Sequence, residues 1–181
     1  SKGFTGSLYL QNNNSFKLSN TTVFDRQKSS EDAESLFFDA DNDGDLDLYV
    51  CSGSVETSKY SSNYLDKLYI NDGKGNFTVS PQLLPTSEGF HSTSTVTSAD
   101  IDNDGDLDLF VGERTIPNAY AQPGSGYLLI NDGKGNFKES SSTLAQDFKD
   151  LGMITDAIFV NLNTDEYPDL IVIGEFMGIQ M

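Results

Sequence analysis

The sequence predicts an all-β chain made of β-propeller blades, about three four-stranded repeats of ~61 residues, part of a larger propeller or of an assembly. Three observations lead there. An acidic string, DADNDGDLD at 39–47, returns as DIDNDGDLD at 100–108 and, altered, as NLNTDEYPD at 161–169; successive starts at Asp39, Asp100 and Asn161 are 61 residues apart. A second string, LYINDGKGNF at 68–77, returns as LLINDGKGNF at 128–137, with a shorter form LYLQNNNSF at 8–16. Between these strings lie short apolar or alternating runs bounded by Gly, Asn and Asp, the pattern of strands and tight turns.

In chain order, residues 1–32 are read as the end of one blade plus a connection, with the last two strands of that blade inside 1–20. Residues 33–91 form the second blade and 92–152 the third. In the third, TSTVTSADI, LDLFVG, GYLLI and NFKES are its four strands. The NDGKGN between the last two has the Asn, Asp and Gly of a hairpin turn and is read as hairpin chemistry only. Residues 153–181 start a further blade, all within one segment, 1–181. SSEDAESLFF at 29–38 and STLAQDFKDLG at 142–152 are expected to hold a helical turn or two as connections between blades. The runs LYVC (48–51), LFV (109–111) and LIVI (170–173) are apolar without alternation, which predicts strands covered on both faces. The half-blades at the two ends are complementary, so two chains completing each other, a homo-oligomer with a six-bladed ring, is one expectation. The chain begins at Ser1, without Met or signal peptide, as in a processed or truncated product.

The 28 acidic against 11 basic residues give a net charge of −17. That weighs against nucleic acid and bare anionic membranes, whose phosphates would be repelled. No apolar run reaches the ~18 residues that span a bilayer, so no direct membrane insertion is expected. A cation is the natural partner. The single cysteine, Cys51, excludes an intrachain disulfide and reads as a buried strand thiol.

The string D-x-D-x-D-G-x-x-D asks for a hard cation. Calcium takes six to eight oxygens, and short carboxylates at alternate positions converge on it once a glycine allows a sharp turn. In the first loop Asp39, Asp41, Asp43 and Asp47 are the side-chain ligands, with the backbone carbonyl of Asp45. In the second they are Asp100, Asp102, Asp104 and Asp108, with the carbonyl of Asp106. In the third they are Asn161, Asn163, Asp165 and Asp169, with the carbonyl of Tyr167. There two amides replace carboxylates and Glu166 replaces the glycine, at a cost of roughly 1–2 kcal/mol if the left-handed conformation is kept. Magnesium prefers stricter octahedral geometry, and zinc would prefer His or Cys. An EF-hand would carry a Glu at position twelve, where this chain has Val50, Val111 and Val172.

These strings resemble FG-GAP repeats, also called VCBS repeats, the blade unit of integrin α-subunit propellers. The stretches DIDNDGDLDLFVGERTIPNAY, GYLLINDGKGNF and LGMITDAIFVNLNTDEYPDLIVIGEFM are also similar to the bacterial ASPIC/UnbV and cartilage acidic protein-like family. The resemblance implies an extracellular or cell-surface propeller with calcium in β-hairpin loops. The function expected is a calcium-binding adhesion or ligand-binding module, its partner a protein or glycan. The alternative is the propeller portion of a secreted polysaccharide lyase or hydrolase. No catalytic residue is assigned. His91 reads as a loop histidine rather than a general base. The segment ERTIPNAYAQPGSGY at 113–127 is read as the longest loop inside a repeat, and its Arg114, Tyr120 and Tyr127 are candidates either for partner contact or for packing on their own blade.

Overall fold

In the computed structural model, residues 6–19, 21–55, 58, 60–86 and 89–181 are described. They form antiparallel meanders in which each strand pairs with the next in sequence. β1 (Tyr9–Asn12) pairs with β2 (Ser15–Leu18). β3 (Asp32–Phe38), β4 (Asp47–Ser52), β5 (Lys67–Asn71) and β6 (Phe77–Val79) form a four-stranded sheet. β7 (Ser92–Ala99), β8 (Asp108–Thr115), β9 (Gly126–Asn131) and β10 (Phe137–Glu139) form a second one. β11 (Met153–Val160) and β12 (Asp169–Glu175) pair as a two-stranded sheet. The chain is nearly all β, in propeller-like blades.

The first strands stack in series: β3 packs on β7, and β7 on β11. Ser94 Oγ of β7 donates to Ile154 O of β11 at 2.6 Å, and Val96 N donates to Glu34 Oε2 of β3 at 3.3 Å. Side-chain alternation explains the unbroken apolar runs. In β4, Tyr49 and Cys51 join a core shared with Val96, Leu109, Val111 and Leu129, while Leu48 and Val50 point the other way, toward Val23 and Phe24. In β8, Leu109 and Val111 join the first core and Phe110 joins a second one with Ile154, Ala157 and Val172. Consecutive side chains of a strand face opposite sides, so a strand between two neighbours needs apolar residues at every position. The Cys51 thiol is fully buried in this core, and burial pushes its pKa well above the usual thiol range.

Two expectations are corrected. The segment 29–38 is not a helical connection: the first strand of its sheet, β3, runs through it. The alternation of exposed and partly covered positions from Glu34 to Phe37, ending on buried Phe38, follows the two-residue period of a strand. The 3₁₀ turn of this connection lies earlier, at Val23–Gln27. The segment 142–152 does hold one helical turn, Ser141–Leu144, and a 3₁₀ turn, Gln146–Phe148. The run 170–173 also departs from expectation. Val172 is buried but Ile173 is 41% exposed, because no further sheet packs on the outer face of β12 among the described residues.

An exposed ion pair ties β8 to β12, Arg114 Nη2 to Glu175 Oε1 at 2.6 Å. Both side chains are close to half exposed, so solvent screens the pair. Replacing Arg114 with Ala is expected to lower stability by less than about 1 kcal/mol, and less at high salt. Urea midpoints at two ionic strengths measure this.

Candidate metal sites

The two acidic strings form the loops between the first and second strands of each four-stranded sheet. Each loop is curled by two left-handed residues at equivalent places: Asn42 (φ 60°) and Gly44 (φ 90°), then Asn103 (φ 60°) and Gly105 (φ 96°). Asparagine is the side chain that best tolerates this region and glycine enters it freely. The curl brings carboxylates together. Ligand oxygens of Asp39, Asp41 and Asp43 lie within 4.8 Å of one another, as do those of Asp100, Asp102 and Asp108.

The last aspartate of each string holds the loop shut. Asp47 Oδ2 accepts from Ala40 N at 2.9 Å and Asp108 Oδ2 from Ile101 N at 2.9 Å. Their Oδ1 atoms accept from Asn71 N and Asn131 N, both at 2.8 Å, tying the loop to the third strand. The first aspartates accept from loop amides: Gly44 N reaches Asp39 Oδ2 at 3.0 Å, and Gly105 N reaches Asp100 Oδ2 at 3.1 Å. Asp104 Oδ1 and Asp43 Oδ1 each accept from the amide two residues on.

What remains is a set of buried oxygens with no hydrogen-bond donor among the described residues: Oδ1 of Asp39, Asp41, Asp45 and Asp106. No Lys or Arg among the described residues pairs with these loops. A buried carboxylate oxygen without a donor or a cation is costly. Burial, reinforced by Asp104 and Asp108, pushes the Asp106 carboxyl up to about 6. Asp41, Asp45 and Asp102 are raised as well, first by burial and then by their acidic neighbours. An oxygen-rich cluster of short carboxylates with unfilled acceptors fits a hard divalent cation and offers no soft ligand. Asp45 and Asp106, expected to contribute only their backbone carbonyls, place their side chains beside the hairpin glycines Gly73 and Gly133 of their own sheets.

The third string folds differently. Neither Thr164 nor Glu166 has a positive φ, so the left-handed curl is not kept and the strain expected at Glu166 does not arise. The β11–β12 loop closes by its own hydrogen bonds instead. Asp169 Oδ2 accepts from Leu162 N at 2.8 Å, Asn161 Nδ2 donates to Asp165 O at 2.7 Å, and Asn163 Nδ2 points at Asp169 at 3.4 Å. Asp165 N donates to Asn163 Oδ1 at 2.7 Å, and Tyr167 N donates to Asp165 Oδ1 at 2.9 Å. The two amides supply N–H groups where the other loops have only acceptors.

The NDGKGN turns are hairpins braced from within by their aspartates. Asp72 accepts from Lys74 N and from both nitrogens of Asn76, and Asp132 repeats the pattern with Lys134 and Asn136. The asparagine side chain holds each carboxyl below the usual range. Gly133 (φ 69°) is confined: a Cβ there would sit 2.9 Å from Asp106 Oδ2 and 3.2 Å from Asn42 Nδ2. Gly133→Ala is therefore expected to cost about 1–2 kcal/mol from backbone conformation alone, plus displacement of Asp106. Chemical denaturation with and without calcium checks it.

Of the other singled-out residues, His91, Arg114 and Tyr127 are engaged in the fold, and the loop expected over 113–127 is shorter: Arg114 lies in β8 and Tyr127 in β9. His91 Nδ1 lies 2.6 Å from Tyr127 Oη and 3.4 Å from Glu113 Oε1, so both rings turn inward. Arg114 is paired with Glu175, and Tyr120 stands 70% exposed. Two residues carry more than their sequence context signals. Asp66 is buried between sheets, and Asn131 bonds to both acidic loops. The recurrence of Asn71 and Asn131 at one repeat position was the available sign for the second.

Residues 52–111 match the family model of the FG-GAP-like repeat, a span of one repeat period that contains the loop 100–108. The match speaks for the repeat and not for the ASPIC/UnbV group. This repeat is a binding or structural module and not a catalytic family. No curated protein matches the chain at a significant level. No helix among the described residues is long and apolar enough to cross a membrane.

Proposed function

We propose that this FG-GAP-like repeat protein is a calcium-stabilised binding module, with one ion in loop 39–47 and one in loop 100–108. The observation that carries the reading is the convergence of carboxylate oxygens in each loop, together with buried oxygens that have no donor. The ions bridge first and second strands and offset part of the −17 charge. Their role is structural, because the loop chemistry is spent on closing the blade. Affinities of extracellular calcium modules, about 10⁻⁴–10⁻³ M, suit millimolar calcium outside cells, and we place the protein there.

Partner binding is proposed at the opposite end of the sheets. β7 runs from Ser92 to Ala99, eight residues or roughly 25 Å, from that end to the acidic loop. A cavity of about 350 Å³ opens there among Val55, Ser92, Ser94, Arg114 and Tyr120. Exposed Tyr120 and Arg114 suit a protein or glycan surface.

Calorimetric titration of the stripped protein tests the metal reading. Two calcium sites are expected, one lost in Asp41→Ala and the other in Asp102→Ala, with magnesium much weaker. A third site would place an ion at Asn161, Asn163, Asp165 and Asp169 as well. No calcium binding would overturn the reading.

A further inference from the structure

The two acidic loops belong to successive sheets, yet they share one side chain. Asn131 ends β9 and is only 5% exposed. Its Nδ2 has two hydrogens and spends both on carbonyls: Ala40 O in the first loop at 2.9 Å and Leu107 O in the second at 3.1 Å. Its backbone N–H donates to Asp108 Oδ1 at 2.8 Å. Its Oδ1 accepts from Asp132 N at 2.9 Å, which prevents the amide from turning over.

We propose that Asn131 couples the two cation sites, so that an ion in loop 39–47 raises the affinity of loop 100–108 and the reverse. The coupling rests on the calcium reading above. Ala40 stands between two ligands, Asp39 and Asp41, so an ion held by both fixes the Ala40 carbonyl. That carbonyl fixes the Asn131 amide. The amide in turn fixes Leu107 O and, through its backbone, the Asp108 carboxylate. Water cannot take over the role of a group this buried. The hairpin that follows wedges into the same gap, with Gly135 beside Asp41 Cβ and Gly133 beside both Asn42 and Asp106. Ordering one loop therefore lowers the cost of ordering the other, and linkage makes the effect reciprocal.

The chain contains its own control. Asn71 occupies the same place one sheet earlier, donates its N–H to Asp47 Oδ1 at 2.8 Å, and donates Nδ2 to Leu46 O at 3.1 Å. Its side-chain bonds stay within one sheet among the described residues. Asn71 thus performs the within-loop task without the bridge.

The test is a cycle on the full chain, with calcium affinity read by calorimetry. Disabling loop 100–108 with Asp100→Ala and Asp102→Ala is expected to weaken calcium at loop 39–47 by about 5-fold or more. In an Asn131→Ala background the same disabling should have no further effect, while in Asn71→Ala the 5-fold loss should persist. Asn131→Asp, which keeps the shape and removes the amide donor, replaces the alanine variant if that one does not fold. A readout without any Asn131 variant is hydrogen exchange at the Ala40 amide. In an Asp39→Ala, Asp41→Ala protein, calcium at loop 100–108 should slow that exchange. Two sites that bind independently, a 5-fold loss that survives in Asn131→Ala, or unchanged Ala40 exchange would each overturn the coupling and leave the sites standing. No binding at either loop would overturn the calcium reading itself, and the coupling with it.

Discussion

Calcium at 10 mM, added to the chelator-stripped protein, is expected to raise its melting temperature by roughly 6–20 °C. The size of the rise is set by the loops. With affinities of about 10⁻⁴–10⁻³ M, that concentration lies roughly 10–100-fold above dissociation, which stabilises by about 1.4–2.7 kcal/mol per site. Two independent sites then contribute roughly 3–5 kcal/mol, and 1 kcal/mol shifts a chain of this size by about 2–4 °C. Positive coupling through Asn131 would place the result toward the upper end. Scanning calorimetry over a calcium series measures it. Asp41→Ala with Asp102→Ala should leave a melting temperature that calcium no longer moves. A rise that survives both substitutions would place the stabilising ions elsewhere.

The second large effect concerns Asp66→Ala. This carboxylate is 1% exposed and accepts from Tyr49 Oη at 2.8 Å, Ser52 N at 2.7 Å and Thr93 Oγ1 at 2.6 Å. Thr93 belongs to the next sheet, so Asp66 pins two sheets from inside their interface. Removing it strands three buried donors, at an expected cost of roughly 3–5 kcal/mol. Urea unfolding measures the loss.

The same residue sets a pH response. Burial raises the Asp66 carboxyl to about 7, partly offset by its three donors. The folded pKa lies above the unfolded value, so the folded state binds the extra proton between about pH 4 and 7. Stability from this group is complete below pH 4 and is lost as pH rises through 7, at no more than about 1.4 kcal/mol per pH unit. Asp106, Asp41 and Asp102 act in the same direction without metal. In chelator, the melting temperature should therefore fall as pH rises from 5 to 7. In calcium the slope should shrink or reverse, because protons compete with the ion for the same oxygens. Parallel curves in the two conditions would count against metal in the loops.

Strands were legible where local chemistry and tertiary demand agree. The runs at 48–51 and 109–111 are apolar at every position because both faces are covered, and NDGKGN carries turn residues at turn positions. Residues 29–38 misled because three acids and three serines precede the apolar end, a composition that suits a solvated connection as well as a half-exposed strand. Ile173 misled because hydrophobicity cannot say whether a neighbouring sheet is present. The acidic loops were legible as clusters, since alternate short carboxylates permit little else. Asp66 was not, because an acid before LYIN reads as a surface group until Thr93 arrives from a strand 27 residues away. The amide closure of 161–169 was equally hidden, since asparagine ligates a cation or donates to a carboxylate with the same side chain.

Among the described residues every strand pairs with a sequence neighbour, so each sheet is a local product of its own stretch of chain. Local pairings close cheaply and fast, and non-local ones come later. The non-local bonds between sheets include Thr93 to Asp66, Asn131 to Ala40 and Ser94 to Ile154. Refolding should then form hairpins first and dock them afterwards, with Asp66 and Asn131 acting in the docking step. Substitutions there should speed unfolding far more than they slow the first appearance of β-structure.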